Sequence, residues 1–310
     1  DPATGAIRAL VGSPDYFNVA ISGAVNAAFA SRQPGSAIKP LTYALALDPA
    51  AAGQAGRATW TAATLIPDIR TAFPTAEGNP YVPNNYDRRY HGPVTVRTAL
   101  ANSYNIPAVA ALDMVGVSHL IDLARELGIP WERQGDALAR GETPRYGLSL
   151  TLGGGEVRLL DLTAAYAAFA TGGYKVEPYA IERVETLDGE VLWRREASTP
   201  RRVLDERVAF LMTDILSDDL ARRPAFGPGS SLDIDRPAAA KTGTTTDWRD
   251  NWTVGYTPDV VTGVWAGNAD NAPMRDVSGI TGAGPIWHDF MRAVTADQPP
   301  TEFPVPDGLT

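Results

Sequence analysis

A serine and a lysine one helical turn apart are the first residues whose types and spacing predict chemistry. Pro34 and Gly35 interrupt the preceding segment, and Ser36 follows at a point where a helix can begin. If that helix forms, Ser36 and Lys39 occupy positions i and i+3 on one face, within reach of each other. A serine hydroxyl becomes a strong nucleophile when a base takes its proton, and a neutral lysine amine can be that base.

Lysine is rare in this chain, which makes the position of Lys39 informative. The sequence holds 27 lysine and arginine residues, of which three are lysines: Lys39, Lys175 and Lys241. Arginine stays protonated in proteins, whereas lysine can lose its proton. The alternative is that Ser36 is an ordinary helix N-cap and Lys39 a solvated first-turn residue, because S-x-x-K is short enough to match by chance. The rest of the chain must decide between the two interpretations.

Two further groups of polar residues supply the partners that this chemistry needs. Ser103 and Asn105 place a hydroxyl and an amide on a loop predicted between two helices. The stretch Lys241-Thr242-Gly243-Thr244 places a second lysine, two hydroxyls and a glycine on a predicted strand. Each group alone is weak evidence, but a helix start, a loop and a strand that carry them in this order favour one assembled site.

These residue types fit nucleophilic acyl transfer. We expect Ser36 to attack a carbonyl carbon and form an acyl-enzyme, with Lys39 as the base. For Lys39 to be neutral near pH 7 its pKa must fall by roughly three units, and burial and the second cation, Lys241, both act in that direction. We expect Ser103 to relay a proton to the leaving nitrogen, and Asn105 to hold the substrate amide and position Lys39.

The predicted strand is expected to bind the substrate and to stabilise the oxyanion of the reaction. The backbone N–H groups of Ser36 and Thr244 form the expected oxyanion hole, in which one donor is typically worth about 10²–10³ in rate. Gly243 is expected to let the substrate backbone lie against the strand. The candidates for binding a substrate carboxylate are Lys241, Thr242, Thr244 and Thr246.

Composition excludes several other kinds of chemistry. The 310-residue chain has a net charge of -9 and no long run of basic residues, which argues against a nucleic-acid partner. It has no cysteine, so it can form no disulfide, thiol nucleophile or cysteine metal site. Its three histidines are scattered and show no metal-ligand spacing, and we expect no metal or cofactor.

The order of the predicted elements indicates an α/β fold in which a helical middle is flanked by sheet-forming ends. Residues 6–12 are predicted as a strand that joins a C-terminal antiparallel sheet formed by residues 238–244, 252–256 and 260–266. Residues 222–235 are predicted as a loop. Helices are predicted over residues 37–47, 94–101, 108–115, 117–127, 156–170, 205–216 and 285–296. This layout predicts an α/β lobe and an all-α lobe with a cleft between them.

Together the three motifs make the chain resemble the transpeptidase domain of class A penicillin-binding proteins, the bifunctional peptidoglycan synthases. The form Arg32-Gln33-Pro34-Gly35-Ser36-Ala37-Ile38-Lys39-Pro40 is typical of class A rather than class B enzymes. The opening residues 1–12 are similar to the first hairpin of that domain, and residues 236–245 and 250–258 are similar to its strand pair beside the active site. The resemblance runs from residue 1 to about residue 292.

The resemblance implies a penicillin-binding protein/serine β-lactamase-like fold, with a five-stranded antiparallel sheet flanked by helices and an all-α lobe. It implies one transpeptidase domain over residues 1–310, with the α/β lobe at about 1–30 and 172–310 and the mainly helical lobe at about 31–171. It also implies D-Ala-D-Ala stem peptides as substrates, peptidoglycan cross-linking as the reaction and covalent inhibition by β-lactams. An upstream glycosyltransferase domain and membrane anchor outside this chain, and an extracytoplasmic location, complete the expectation.

Two other functions use the same residues. A serine β-lactamase also needs a glutamate that activates water, and no E-x-x-L-N stretch lies between Ser103 and Lys241. Glu156 is better explained as an acidic residue at a helix start, where it complements the helix dipole. A non-catalytic β-lactam sensor or binding module would be acylated without turnover, and the sequence does not separate it from an enzyme.

Overall fold

The computed structural model describes residues 1–75, 78–140, 142–143, 145–196 and 199–309, in which helices and strands alternate along the chain. The α-helices of these residues are α1 (Lys39–Leu47), α2 (Pro49–Gln54), α3 (Val96–Ala101), α4 (Asn105–Val115), α5 (Val117–Glu126), α6 (Gln134–Ala139), α7 (Leu159–Ala170), α8 (Glu206–Ser217), α9 (Asp219–Phe226) and α10 (Ala283–Thr295). The strands are β1 (Ser31–Arg32), β2 (Leu65–Asp68), β3 (Gly92–Thr95), β4 (Val157–Arg158), β5 (Tyr174–Lys175), β6 (Arg183–Glu185), β7 (Val191–Arg194), β8 (Arg201–Arg202), β9 (Ala239–Thr244), β10 (Asp250–Tyr256) and β11 (Val261–Gly267). Short 3₁₀ helices cover Val19–Ile21, Gly35–Ile38, Leu148–Leu152 and Thr246–Trp248.

A three-stranded antiparallel sheet in the order β11-β10-β9 carries the predicted lysine–threonine–glycine motif on its edge strand β9. The middle strand β10 is buried along its whole length, because helices cover both faces of the sheet. Gly263 of β11 lies against Thr163 of α7, whereas Gly255 of β10 lies against Trp287 of α10. A Cβ on these glycines would come within 2.0 Å and 2.5 Å of those side chains, so their absence lets the two helices pack closely.

Helix α1 lies in the larger hydrophobic core, and all of its residues are buried. It packs against α4, α5 and α8, which contribute Leu112, Leu120 and Met212 to the same core. Fully burying a side chain of this kind is worth about 1.5–3 kcal/mol. Helix α1 is therefore a firm support for Lys39, its first residue, and for the serine turn directly before it.

The mixed α/β architecture with antiparallel sheets matches the prediction, but the strand predicted over residues 6–12 is wrong. Of residues 6–12, only Ala6 makes a β-bridge, parallel to Tyr179, and the segment does not join the sheet. Leu10 and Val11 are exposed, so this segment does not bury its large apolar side chains against the sheet. The sheet that carries the site has three strands instead of the expected five.

Some helix boundaries also differ from the prediction. Helix α1 begins only at Lys39, because residues 35–38 form a 3₁₀ turn, and α7 begins after the short strand β4. The loop predicted over residues 222–235 is wrong at its start, where α9 continues to Phe226. Asp218 caps α9 by accepting a hydrogen bond from the backbone N–H of Ala221, and this cap supports a helix despite Pro224.

No single helix in the described ranges is long and apolar enough to cross a membrane. Helices α4 and α5 reach that length only as a pair, and they meet at an angle of 90°. Both pack against α1.

Candidate active site

Ser36 lies in the 3₁₀ turn Gly35–Ile38, which packs against the edge strand β9. Two glycines let the backbones meet. A Cβ on Gly35 would lie 2.6 Å from the carbonyl oxygen of Thr244, and a Cβ on Gly243 would lie 2.1 Å from the carbonyl oxygen of Pro34. Gly35 also has a φ of 54°, a conformation that favours glycine. The serine turn is therefore held directly beside the lysine–threonine–glycine strand.

Two buried aromatic side chains fix the backbone on either side of Ser36. The Tyr166 hydroxyl donates to the carbonyl oxygen of Ala37 at 2.6 Å, and Trp252 Nε1 donates to the carbonyl oxygen of Gln33 at 2.7 Å. Both rings are fully buried. In the described part of the chain the Ser36 hydroxyl itself has no hydrogen-bond partner, so it is free to meet a substrate.

Lys39 is fully buried and directs its amine at the serine–asparagine motif. Its Nζ donates to Ser103 O at 2.6 Å, to Asn105 Oδ1 at 2.7 Å and to Tyr104 O at 3.2 Å, and it lies 3.4 Å from Ser103 Oγ. Three oxygen acceptors match the three N–H bonds of an ammonium group. To act as a base, the amine must therefore first release one of these protons.

Lys241 reaches the same serine from the sheet. Its side chain is almost fully buried, and its Nζ donates to Ser103 Oγ at 2.8 Å and to Thr242 O at 3.0 Å. Ser103 has a φ of 61°, in a region that non-glycine residues seldom occupy. The Ser103 hydroxyl thus lies between the two lysine amines, where it can pass a proton from one nitrogen to another.

Burial and a neighbouring cation lower the pKa of each of the two lysines. Burial lowers the pKa of Lys39 well below its ordinary value, Lys241 lowers it further, and the carboxylate of Asp68 opposes this change. Burial and the Arg222 guanidinium lower the pKa of Lys241 to about 7. Removing a proton from this pair near neutral pH therefore costs far less than it would for an exposed lysine.

Two backbone N–H groups are available for an oxyanion. The Thr245 N–H bonds to the carbonyl oxygen of Asp250, which makes these residues a hydrogen-bonded pair of the antiparallel ladder. Because such pairs alternate, the next pair, Thr244 and Asn251, directs its N–H and C=O groups away from the partner strand. The Thr244 N–H therefore points off the edge of β9. The Ser36 N–H, at the start of the serine turn, has no partner in the described backbone.

The remaining predicted site residues do not all lie in the hydrogen-bonded cluster. Thr242 is buried on β9, and Thr244 Oγ1 accepts a hydrogen bond from the Gly279 N–H at 2.8 Å. Thr246 is exposed at the start of a 3₁₀ helix, outside the hydrogen-bonded cluster. The side of Gly243 on which a Cβ would lie is occupied by Pro34 O, so contact with the serine turn explains this glycine better than space for a substrate backbone.

Sequence reasoning missed the residues that hold Asn105 in place. The Asn105 backbone N–H donates to Asn85 Oδ1, and Asn105 Nδ2 donates to Asn84 O, both at 2.7 Å. Asn85 is itself bound by Asp68, which is fully buried at the end of β2. The sequence does hold one clue to Asp68. It lies two residues after the apolar Ile66, so in a strand both side chains lie on the same, buried face.

The geometry defines a class of site: an unbound serine hydroxyl in a turn packed on β9, followed by a cluster in which two buried lysines bind a second serine. Residues of these types can carry out acyl transfer. Comparison with known proteins agrees with that class. Residues 1–292 match the family described as "Penicillin binding protein transpeptidase domain". The chain therefore belongs to the penicillin-binding protein transpeptidase family, and the resemblance inferred from its motifs is confirmed.

Individual relatives support the same assignment. The chain is 36% identical over 313 residues to penicillin-binding protein 1A of Aquifex aeolicus, covering 99% of this chain but 39% of that protein. The crystal structure of penicillin-binding protein 1A from Haemophilus influenzae matches with a TM-score of 0.80 at 25% identity, over 98% of this chain and 48% of that chain. PonA1 of Mycobacterium tuberculosis in complex with penicillin V matches with a TM-score of 0.81 at 24% identity, over 100% of this chain and 80% of that chain, and confirms the fold. The chain thus spans about two fifths of the length of such a curated relative.

Proposed function

We propose that this chain is a serine D-Ala-D-Ala transpeptidase that cross-links peptidoglycan stem peptides through an acyl-enzyme on Ser36. The observation that carries the proposal is the Ser103 hydroxyl held between two buried lysine amines. The Ser36 hydroxyl, in the turn directly before Lys39, is bound by no described residue. In this interpretation residues 1–310 are one transpeptidase domain whose cleft lies between the helices around α1 and the edge of β9.

In the acylation step the Ser36 oxygen attacks the carbonyl carbon of the penultimate D-Ala while its proton passes to the neutral amine of Lys39. The Ser36 and Thr244 N–H groups stabilise the oxyanion. The carbon–nitrogen bond then breaks, and the nitrogen of the leaving D-Ala takes a proton from the Ser103 hydroxyl, which is reprotonated by a neighbouring lysine. The ester on Ser36 is finally attacked by the amine of a second stem peptide, which restores the serine.

We also propose that β-lactams acylate the same serine. The lactam carbon–nitrogen bond opens but the nitrogen remains attached, so the whole antibiotic stays on the protein. The support is the fold shared with PonA1, whose structure was determined with penicillin V. Thr242 and Lys241 are the proposed contacts for the carboxylate of the ligand, with Thr244 and Thr246 as further contacts.

Hydrolysis is the less favoured reaction for the acyl-enzyme. Among the described residues no carboxylate is hydrogen-bonded to Ser36, Ser103 or either of the two buried lysines, and Glu156 is exposed. A serine β-lactamase would need such a group to activate water. We therefore expect a slow release of the acyl group to water and a faster one to an amine.

Intact-mass measurement after incubation with penicillin tests the proposal. We expect one adduct equal to the full mass of the antibiotic on the native chain and on Ser31→Ala, an exposed serine of β1, and none on Ser36→Ala. An unmodified native chain would overturn the assignment. Rapid repeated turnover of nitrocefin would replace it with a β-lactamase, and acylation without any turnover of a stem-peptide thioester would replace it with a sensor.

The environment of the whole protein belongs to the same proposal. Because relatives named penicillin-binding protein 1A are much longer than this chain, we propose that it works beside a glycosyltransferase domain and a membrane anchor, on the extracytoplasmic side of a bacterial membrane. Detection of a longer native protein in the membrane fraction, labelled by a membrane-impermeant fluorescent penicillin, would test this placement.

A further inference from the structure

The loop that contains Asn84 and Asn85 is hydrogen-bonded to Asn105 at two points. Asn85 Oδ1 accepts from the backbone N–H of Asn105 at 2.7 Å and from that of Ile106 at 3.4 Å. Asn84 O accepts from Asn105 Nδ2 at 2.7 Å. One residue of the loop therefore holds the backbone of Asn105, and the adjacent residue holds its side chain.

The hydrogen bonds from Asn85 supply the N-terminal cap that the residue before α4 does not provide. The residue at the N-cap position, Tyr104, makes no side-chain cap hydrogen bond. The first N–H groups of a helix need acceptors from elsewhere, and here the acceptor is Asn85, twenty residues earlier. Capping interactions of this type fix where the first turn of a helix lies. The position of Asn105, the first residue of α4, thus depends on Asn85.

Asn85 is in turn locked by a buried carboxylate. Its Nδ2 donates to both oxygens of Asp68, at 2.9 Å and 2.8 Å, and to Arg89 O at 2.8 Å. His91 holds Asp68 from the other side, through its backbone N–H at 3.0 Å and through Nδ1 at 2.6 Å. Because the NH₂ of Asn85 must face Asp68, the amide oxygen must face Asn105.

The same logic fixes the amide of Asn105. Its NH₂ faces Asn84 O, so its oxygen must face Lys39 Nζ, which lies at 2.7 Å. The His91 ring also stacks on Tyr104, with centroids 3.9 Å apart and planes 10° from parallel. A continuous chain of hydrogen bonds therefore joins the buried Asp68 to the amine of Lys39.

We propose that Asn85, oriented by Asp68 and His91, is a positioning residue for acyl transfer that sets the place of Asn105 and, through it, the hydrogen bond of the Asn105 amide oxygen to the amine of Lys39. The proposal rests on the proposed acylation of Ser36. Without the Asn85 acceptor, the first turn of α4 is free to shift, and a displacement of about 1 Å can cost about 100-fold in rate. Asn85 itself need not touch the substrate.

The test measures acylation by a fluorescent penicillin and separates the non-covalent binding constant from the first-order acylation constant. For Asn85→Ala we expect the acylation constant of the folded protein to fall about 10- to 100-fold. Asn79→Ala is the matched control, because Asn79 lies in the same polar segment, is exposed and has no side-chain hydrogen bond to a described residue. Thermal unfolding confirms that each variant is folded. An acylation constant for Asn85→Ala within threefold of the native value would overturn the proposal.

A charge-conserving swap keeps the test decisive if Asn85→Ala does not fold. Asn85→Asp places two carboxylates face to face, whereas adding Asp68→Asn restores one amide and one carboxylate at this contact. We expect the double variant to acylate at least fivefold faster than Asn85→Asp alone. A double variant that is folded but no faster would show that the contact only supports the fold, and would overturn the proposal.

Amide hydrogen exchange separates this proposal from the proposed function. We expect the Asn105 and Ile106 amides to lose protection specifically in Asn85→Ala. If the native chain were not acylated by penicillin, the proposed function would fail while the exchange result still decided whether Asn85 holds the start of α4. Unchanged protection at both amides would refute the positioning role whatever the chemistry.

Discussion

Replacing Lys241 by methionine is expected to stabilise the protein at low pH and to lose that advantage at high pH. Burial and Arg222 lower the pKa of Lys241 from an ordinary value of 10.5 to about 7. Below pH 7 the folded state must hold an unfavourable buried cation. Between pH 7 and 10.5 it instead gives up a proton that the unfolded chain keeps. The penalty to folding is therefore greatest below pH 7, decreases as the pH rises and vanishes above 10.5.

The size of this effect follows from the lowered pKa. A change from 10.5 to about 7 corresponds to about 5 kcal/mol, of which about 3 kcal/mol is relieved between pH 6 and pH 9.5. Methionine also loses the hydrogen bonds of the lysine to Ser103 and Thr242, worth about 1 kcal/mol each at every pH. We therefore expect Lys241→Met to be about 3 kcal/mol more stable than the native protein at pH 6 and nearly equal to it at pH 9.5.

Urea unfolding at pH 6 and pH 9.5 measures the free energy of unfolding of both proteins. Lys175→Met is the matched control, because it removes the lysine that lies outside the site and pairs with Glu177. The Lys175→Met series shows how much the loss of a lysine outside the site changes the free energy of unfolding at each pH. A difference between Lys241→Met and the native protein that stayed constant to within about 1 kcal/mol between pH 6 and pH 9.5 would refute the reasoning that Lys241 is a buried lysine with a lowered pKa.

Two further substitutions test the serine turn and the proposed base, Lys39. Lys39→Arg keeps a cation at this position but cannot release a proton, so we expect acylation by a fluorescent penicillin to fall about 10²–10⁴-fold; a loss of less than tenfold would remove Lys39 from the role of base. Gly35→Ala forces a side chain into a left-handed backbone and against Thr244 O, so we expect a loss of at least about 1–2 kcal/mol in unfolding experiments together with slower acylation. Gly53→Ala is its control, because a Cβ there meets nothing within 4 Å, and equal stability losses in both variants would contradict the close packing of the turn on β9.

The candidate catalytic residues could be selected from the sequence because the chemistry proposed for them restricts their types. A lysine one turn after a serine, in a chain that uses arginine far more often than lysine, is informative only when a second lysine and a second hydroxyl follow. The structure brings Lys39, Ser103, Asn105 and Lys241 into one hydrogen-bonded cluster. Their roles in catalysis stay predictions until acylation is measured.

The supporting residues could not be predicted, because their contacts exist only in the folded chain. Asn85 lies in a segment rich in proline and asparagine, and no local pattern shows that it caps a helix twenty residues later. The strand predicted over residues 6–12 failed for a related reason. Its apolar residues suit a strand, yet whether a strand joins a sheet depends on packing that sequence alone does not determine.

The surroundings of Lys39 have two opposing effects on the protonation of its amine. Three oxygen acceptors, from Ser103, Tyr104 and Asn105, favour the ammonium form, whereas burial and the nearby Lys241 favour the neutral amine. An amine that was always neutral would be a weak acceptor for the Ser36 proton, and one held firmly as a cation could not accept it at all. We infer that the Asn105 amide oxygen accepts a hydrogen bond from the ammonium group that Lys39 forms during acylation. The accuracy with which Asn85 places Asn105 would then bear directly on the rate of acylation.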